Sequence, residues 1–124
     1  MSTIKNNVLR VQEDIAAACR KIGRDPAEVT LVGVTKFAPQ EYIEEAIEAG
    51  ICHIAENKVQ EGLKKYPSLS SCPSGQLTRH MIGHLQSNKA KDALKVFDMI
   101  QSVDSVKLAQ EIEKQAAKLN RSVD

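Results

Sequence analysis

The chain has 124 residues, 42% of them hydrophobic and 27% charged, and carries a formal net charge of +1. One soluble domain is the expectation at that length, with an aliphatic core, because aromatic residues make up only 3% and Trp is absent. The near-neutral charge gives no electrostatic case for nucleic acid or an anionic membrane surface, and no apolar run approaches the roughly 20 residues of a membrane span.

The opening Met1-Ser2-Thr3-Ile4-Lys5 has no signal-peptide h-region, which predicts a cytoplasmic protein. Cys19, Cys52 and Cys72 are odd in number and form no CxxC pair. That pattern predicts reduced thiols rather than a disulfide framework, with Cys19 and Cys52 packed as small hydrophobes.

Ile4, Val8, Val11, Ile15, Ala18, Cys19 and Ile22 recur at spacings of three and four, one apolar stripe on a leading helix that Gly23 stops. Asp25-Pro26-Ala27-Glu28 reads as an N-cap and a brief helical turn. The run Val29 to Lys36 is short, apolar and β-branched, which predicts a strand buried on both faces of a parallel sheet. Pro39 opens a second helix with Ile43, Ala46 and Ile47 inward, closed by Gly50.

Ile51 to Ala55 is the next strand, followed by a helix over 58–65. Residues 66–78, with two prolines, a glycine and four serines, read as a long loop. Arg79 to Gly83 predicts a third strand, 85–95 a helix, Phe97 to Val103 a fourth strand, and 106–119 a last helix capped by Asp104 or Ser105. A helix followed by four βα units indicates a parallel sheet, either doubly wound or closed as a (β/α) barrel. Neither a G-x-G-x-x-G nor a Walker phosphate loop is present, which weakens the nucleotide-binding open sheet.

In both architectures ligands bind at the C-terminal ends of the strands. Those ends are Thr35-Lys36, Ala55-Glu56-Asn57, Gly83-His84 and Ser102-Val103-Asp104. An amine, an amide, a carboxylate and an imidazole converging there suit a small polar ligand with a carbonyl, since a lysine at a strand mouth can lose its proton and attack an aldehyde. His80 and His84 are four apart, but the intervening Met81-Ile82-Gly83 is strand-like and no third ligand is evident, so no metal site is expected. Gln86-Ser87-Asn88-Lys89-Ala90-Lys91 could touch phosphate or RNA and reads equally well as a polar helix start.

Three strings carry a family resemblance: Leu31-Val32-Gly33-Val34-Thr35-Lys36, Ala55-Glu56-Asn57-Lys58-Val59-Gln60-Glu61 and His80-Met81-Ile82-Gly83-His84-Leu85-Gln86-Ser87-Asn88-Lys89. In this order at strand ends they resemble the pyridoxal-phosphate homeostasis proteins of the YggS/PROSC type, related to the N-terminal barrel of alanine racemase. The resemblance covers essentially the whole chain. It implies an α/β fold, a parallel (β/α) barrel of TIM type, and a Schiff base between Lys36 and pyridoxal 5′-phosphate. It also implies that Asn57, His80 and Gly83 are cofactor-side residues. These proteins bind the cofactor without an established catalysis and are thought to buffer or deliver it within vitamin B6 metabolism.

The family is about twice this length, and its phosphate-binding segments come from later strands that are missing here. The resemblance therefore implies the N-terminal half only, a partial barrel of about four βα units. Two consequences follow: an exposed fourth-strand edge that favours a homo-oligomer, and a half-barrel unable to hold the cofactor as the competing outcome. A racemase-like enzyme is the other alternative, which needs a second acid/base that neither Tyr42 nor Tyr66 supplies from its position.

Overall fold

A computed structural model describes residues 3–69 and 71–124. The leading helix α1 (Thr3–Lys21) ends where Gly23 adopts φ +69°, the left-handed C′ conformation. Asp25 caps a single 3-10 turn (Pro26–Glu28), its carboxylate accepting from the Ala27 N–H at 3.0 Å.

Four strands, β1 (Val32–Val34), β2 (His53–Glu56), β5 (Thr78–Met81) and β6 (Met99–Ile100), form one parallel sheet in the order β1-β2-β5-β6. Helices α2 (Gln40–Glu48), α3 (Val59–Lys65), α4 (Ala90–Val96) and α5 (Val106–Lys118) follow in alternation. All four βα units expected from the sequence are present, and they make an open sheet, not a closed barrel. Side chains on adjacent strands share a face in register, because successive residues alternate. Val32, His53 and Thr78 therefore lie on one face with Val34, Ala55, His80 and Met99; Gly33, Ile54 and Arg79 lie on the other with Glu56, Met81 and Ile100.

The core forms where the second face meets the helices: Ile43, Ile47, Ile54, Leu85, Leu94, Phe97 and Leu108 are all buried. Phe97 meets Tyr66 edge-on with ring centroids 5.9 Å apart. Its ring also lies so close to α3 that a Cβ on Gly62 would sit 2.6 Å from it, so any larger residue there would have to displace the ring.

The first strand corrects one expectation. Only Val32–Val34 are paired, and Val34 is 50% exposed. Its face of the sheet is open at that edge, so the apolar run is not buried on both sides. At the opposite edge, the Ile100 N–H donates to the Asp124 carbonyl at 2.8 Å, which partly occupies the strand edge expected to be bare. Arg121 holds that tail down by donating to the carbonyls of Leu94 and Phe97.

Two further corrections concern residues 66–78. The expected long loop contains a 3-10 turn (Tyr66–Ser68) and a hairpin of β3 (Ser71–Cys72) with β4 (Gly75–Gln76), turned at Pro73-Ser74, with Gly75 at φ +148° as the first residue of β4. Reduced cysteines were expected, but Cys52 and Cys72 form a disulfide across 20 residues of sequence, with Cα atoms 5.5 Å apart. The bond ties the hairpin to the residue that precedes β2, at the end of the sheet remote from Lys36. Sequence spacing could not reveal it, because the pairing depends on a hairpin whose strands are only two residues long. Cys19 is buried and free, as expected of a small hydrophobe.

Candidate functional site

The C-terminal ends of β1 and β2 are held together by a buried polar network. The Thr35 N–H donates to the Ala55 carbonyl at 2.9 Å, extending the ladder one residue past β1. Glu56 is fully buried; its Oε2 lies 3.1 Å from both Thr35 Oγ1 and Lys65 Nζ, and its Oε1 accepts from the Asn57 N–H at 3.1 Å. Lys65 Nζ also donates to the Thr35 carbonyl at 3.0 Å and lies 3.7 Å from Glu61 Oε2. Tyr66 completes the group, with its hydroxyl 2.7 Å from Thr35 Oγ1. Thr35 has one proton and gives it to the carboxylate, so Tyr66 is the donor in that pair. Burial pushes the Tyr66 phenol well above its usual range, and the Glu56 charge adds to that despite the Thr35 hydrogen bond.

This network fixes the backbone on both sides of a 280 Å³ cavity. Lys36, Glu56, Asn57, Lys58 and Lys65 contribute to its wall. Lys36 stands in a turn closed by the Ala38 N–H donating to the Thr35 carbonyl at 3.0 Å, and is exposed. The next residue, Phe37, takes φ +62° with its side chain 93% exposed. A bulky residue in the left-handed region is uncommon, and such turns are enriched at ligand sites. Lys65 is spent on carboxylates and a carbonyl, whereas Lys36 makes no ion pair among the described residues.

The four residues singled out from the sequence divide into two groups. Lys36 and Asn57 share this cavity. Gly83 abuts Asn57 from the neighbouring strand end: a Cβ on Gly83 would lie 2.1 Å from the Asn57 carbonyl oxygen. The hydroxyl of Ser102, from the fourth strand end, donates to the Gly83 carbonyl and extends the chain of contacts.

His80 stands apart. It belongs to the face shared with Val34, and does not line the Lys36 cavity. Its Nε2 lies 3.0 Å from His53 Nδ1 and its Nδ1 lies 2.8 Å from the Gln101 amide nitrogen, so three strands are linked through imidazoles. If the Gln101 amide donates, His80 carries its proton on Nε2 and passes a hydrogen bond to His53. Desolvation holds the His80 pKa below its ordinary 6.5, helped by the neighbouring His53 and opposed by Asp98.

Lys65 and Tyr66 are the participants that sequence reading did not find. Lys65 read as the polar end of a helix and Tyr66 as the start of a loop, and neither spacing to Glu56 nor composition distinguishes them. Among the described residues, no group of three or more His, Cys, Asp or Glu could hold a metal ion. Among the described residues, no helix is long and apolar enough to cross a membrane.

No family model matches the chain. Curated relatives do: the pyridoxal phosphate homeostasis proteins of Pseudomonas aeruginosa and Escherichia coli are 40% and 37% identical over 115 residues, covering 93% of this chain and 49% of each relative. That of Aquifex aeolicus is 41% identical over 111 residues. Among solved structures, an unknown protein from Bifidobacterium adolescentis superposes with a TM-score of 0.89 at 36% identity, covering 97% of this chain and 52% of that one. PipY of Synechococcus elongatus, solved with pyridoxal phosphate bound, superposes with a TM-score of 0.72 at 40% identity, covering 90% of this chain and 51% of that protein. The chain thus spans about half the length of the proteins it matches.

Proposed function

We infer that this chain is the N-terminal half of a pyridoxal phosphate homeostasis protein, a (β/α) barrel of which the open four-stranded sheet is one side, and that it binds pyridoxal 5′-phosphate through Lys36. One observation carries the choice of residue. Three lysines line the cavity; carboxylates engage Lys65, and of the two with no ion pair among the described residues, Lys58 precedes α3 whereas Lys36 stands in the turn after β1, at the strand mouth where the family resemblance puts the Schiff base. Ion pairing with a carboxylate favours the protonated amine, which is not a nucleophile.

The residues present fit the aldehyde end of the cofactor. Lys36 supplies the amine that holds it as a Schiff base, Asn57 offers an amide to its polar edge, and Gly83 keeps Asn57 in register by leaving room for its backbone. When bound, the cofactor's chemistry is that of an electron sink attached to an aldehyde carbon. The protein's own part is to position and desolvate it: Thr35, Glu56 and Lys65 lock the two loops, and Pro39 and Ala38 wall off one side. His80 contributes through the sheet rather than from this cavity.

A binding role is favoured over racemisation. Two-sided proton transfer needs a second acid/base at the cavity. Tyr66 is buried against Thr35 with its phenol pushed up, and Tyr42 is exposed on α2 outside the cavity. With Val34 half exposed and Phe37 bare, two copies associating through the open sheet face would cover apolar surface. The cytoplasm, where such a cofactor pool resides, is the proposed location.

Borohydride reduction of the chain mixed with pyridoxal phosphate, followed by peptide mapping, tests this. The expected result is one modified lysine, Lys36, lost in Lys36→Ala. Modification spread evenly over surface lysines, or unchanged in that variant, overturns it.

A further inference from the structure

A second cavity of 300 Å³ adjoins the first, on the far side of Asn57 and Lys58, which line both. Its wall is built from Lys58, His84 and Lys89 with the carboxamides of Asn57, Gln60 and Gln86, and no carboxylate lines it. Three groups that are or can become cationic, converging on one hollow, repel one another unless an anion joins them. Neither Lys58 nor Lys89 makes an ion pair among the described residues; Asp104, 3.4 Å from His84, does not line the cavity. The carboxamides add neutral N–H donors around the same space.

The walls are preorganised. Lys58 is the residue before α3, and Lys89 closes the 3-10 turn (Ser87–Lys89) before α4. The two loops are pressed together by the Gly83 backbone against Asn57, so the cationic groups come from adjacent strand ends held in contact. Lysine suits phosphate as a compact point charge.

We propose that this hollow is an oxyanion site for the phosphate group of a small phosphorylated molecule, separate from the Lys36 cavity and opening beside it. Its volume leaves room for a small organic group around the phosphate. The concave shape and the net charge of +1 favour such a ligand over a nucleic acid, which needs an extended basic surface. The proposal does not rest on Lys36.

The test is an amide NMR titration of the 124-residue chain with inorganic phosphate, ionic strength held constant with chloride. Saturable shifts at Asn57, Gln60, Gln86 and Lys89 are expected, preserved in Lys36→Ala. The paired variant Lys58→Gln/Lys89→Gln is expected to weaken the apparent affinity by about tenfold or more, as loss of charge-assisted contacts does. Lys58→Arg/Lys89→Arg, which keeps both charges, should recover most of it and serves as the folding control. Shifts that fail to saturate, that survive the Gln pair, or that saturate only with an RNA oligonucleotide overturn the proposal. Loss of phosphate binding in Lys36→Ala would instead merge this site with the first and overturn its independence.

Discussion

Gly83 and Asn57 are in backbone contact across two strand ends: a Cβ on Gly83 would fall 2.1 Å from the Asn57 carbonyl oxygen and 2.8 Å from its Cα. The obstructing atoms are main chain, so no rotamer change relieves the clash. Gly83→Ala should therefore separate the two loops. The expected cost is about 1–3 kcal/mol of stability, the range for overpacking, read as a lower urea midpoint. Lys36 labelling by pyridoxal phosphate should fall with it, because Asn57 and Lys58 move. A variant with wild-type midpoint and wild-type labelling would show that the contact positions nothing.

Glu56 makes a different prediction. It is fully buried and satisfies Lys65, Thr35 and the Asn57 N–H at once. Removing one partner of such a pair strands the other, at about 3–5 kcal/mol for Glu56→Ala. Glu56→Gln keeps the shape and releases Lys65 from its closest carboxylate. Borohydride labelling in that variant should divide between Lys36 and Lys65, whereas the wild-type chain labels Lys36. Labelling that stays on Lys36 alone would mean that ion pairing is not what silences Lys65.

These two cases mark what could be read in advance. The strand-end positions of Lys36, Asn57 and Gly83 and the order of strands and helices were legible from periodicity. The Asp25 cap was visible as local chemistry, and the last helix's cap was narrowed to Asp104 or Ser105, of which Ser105 is the one used. Lys65 and Tyr66 were not visible, because their partners are 9 and 31 residues away and nothing in spacing encodes those contacts. His80 lies on the adjacent strand in register with Ala55 and is not among the residues that line the Lys36 cavity. The strands are also shorter than their apolar runs suggest: Val29-Thr30-Leu31 feed the sheet without pairing in it.

The disulfide is tested by chemistry. Alkylation of the unreduced, unfolded chain followed by intact mass should mark one thiol, Cys19, and three after reduction. Closing a loop of 20 residues is worth about 3 kcal/mol in the chain-entropy account, so a reductant or Cys72→Ala should lower the urea midpoint accordingly. The Lys36 site lies at the other end of β2, and its labelling should persist in the reduced chain. Three thiols alkylated without reductant would remove the bond.

The histidine pair gives a pH dependence with a fixed sign. His80 is buried, and its folded pKa lies below the unfolded 6.5 because desolvation, and then His53, penalise the imidazolium more than Asp98 favours it. Through that window the unfolded chain binds more protons than the folded one. The associated stability is therefore fully present above pH 6.5 and is lost as pH falls through 6.5 toward the depressed folded value. Urea midpoints taken from pH 7.5 down to about pH 5 should decline. His80→Gln, which cannot titrate, should flatten this part of the profile, although it lowers stability throughout by breaking the bridge to His53 and Gln101. A profile as steep in His80→Gln as in the wild-type chain would assign the acid sensitivity to other groups and leave the His53–His80–Gln101 link as a neutral strut between strands.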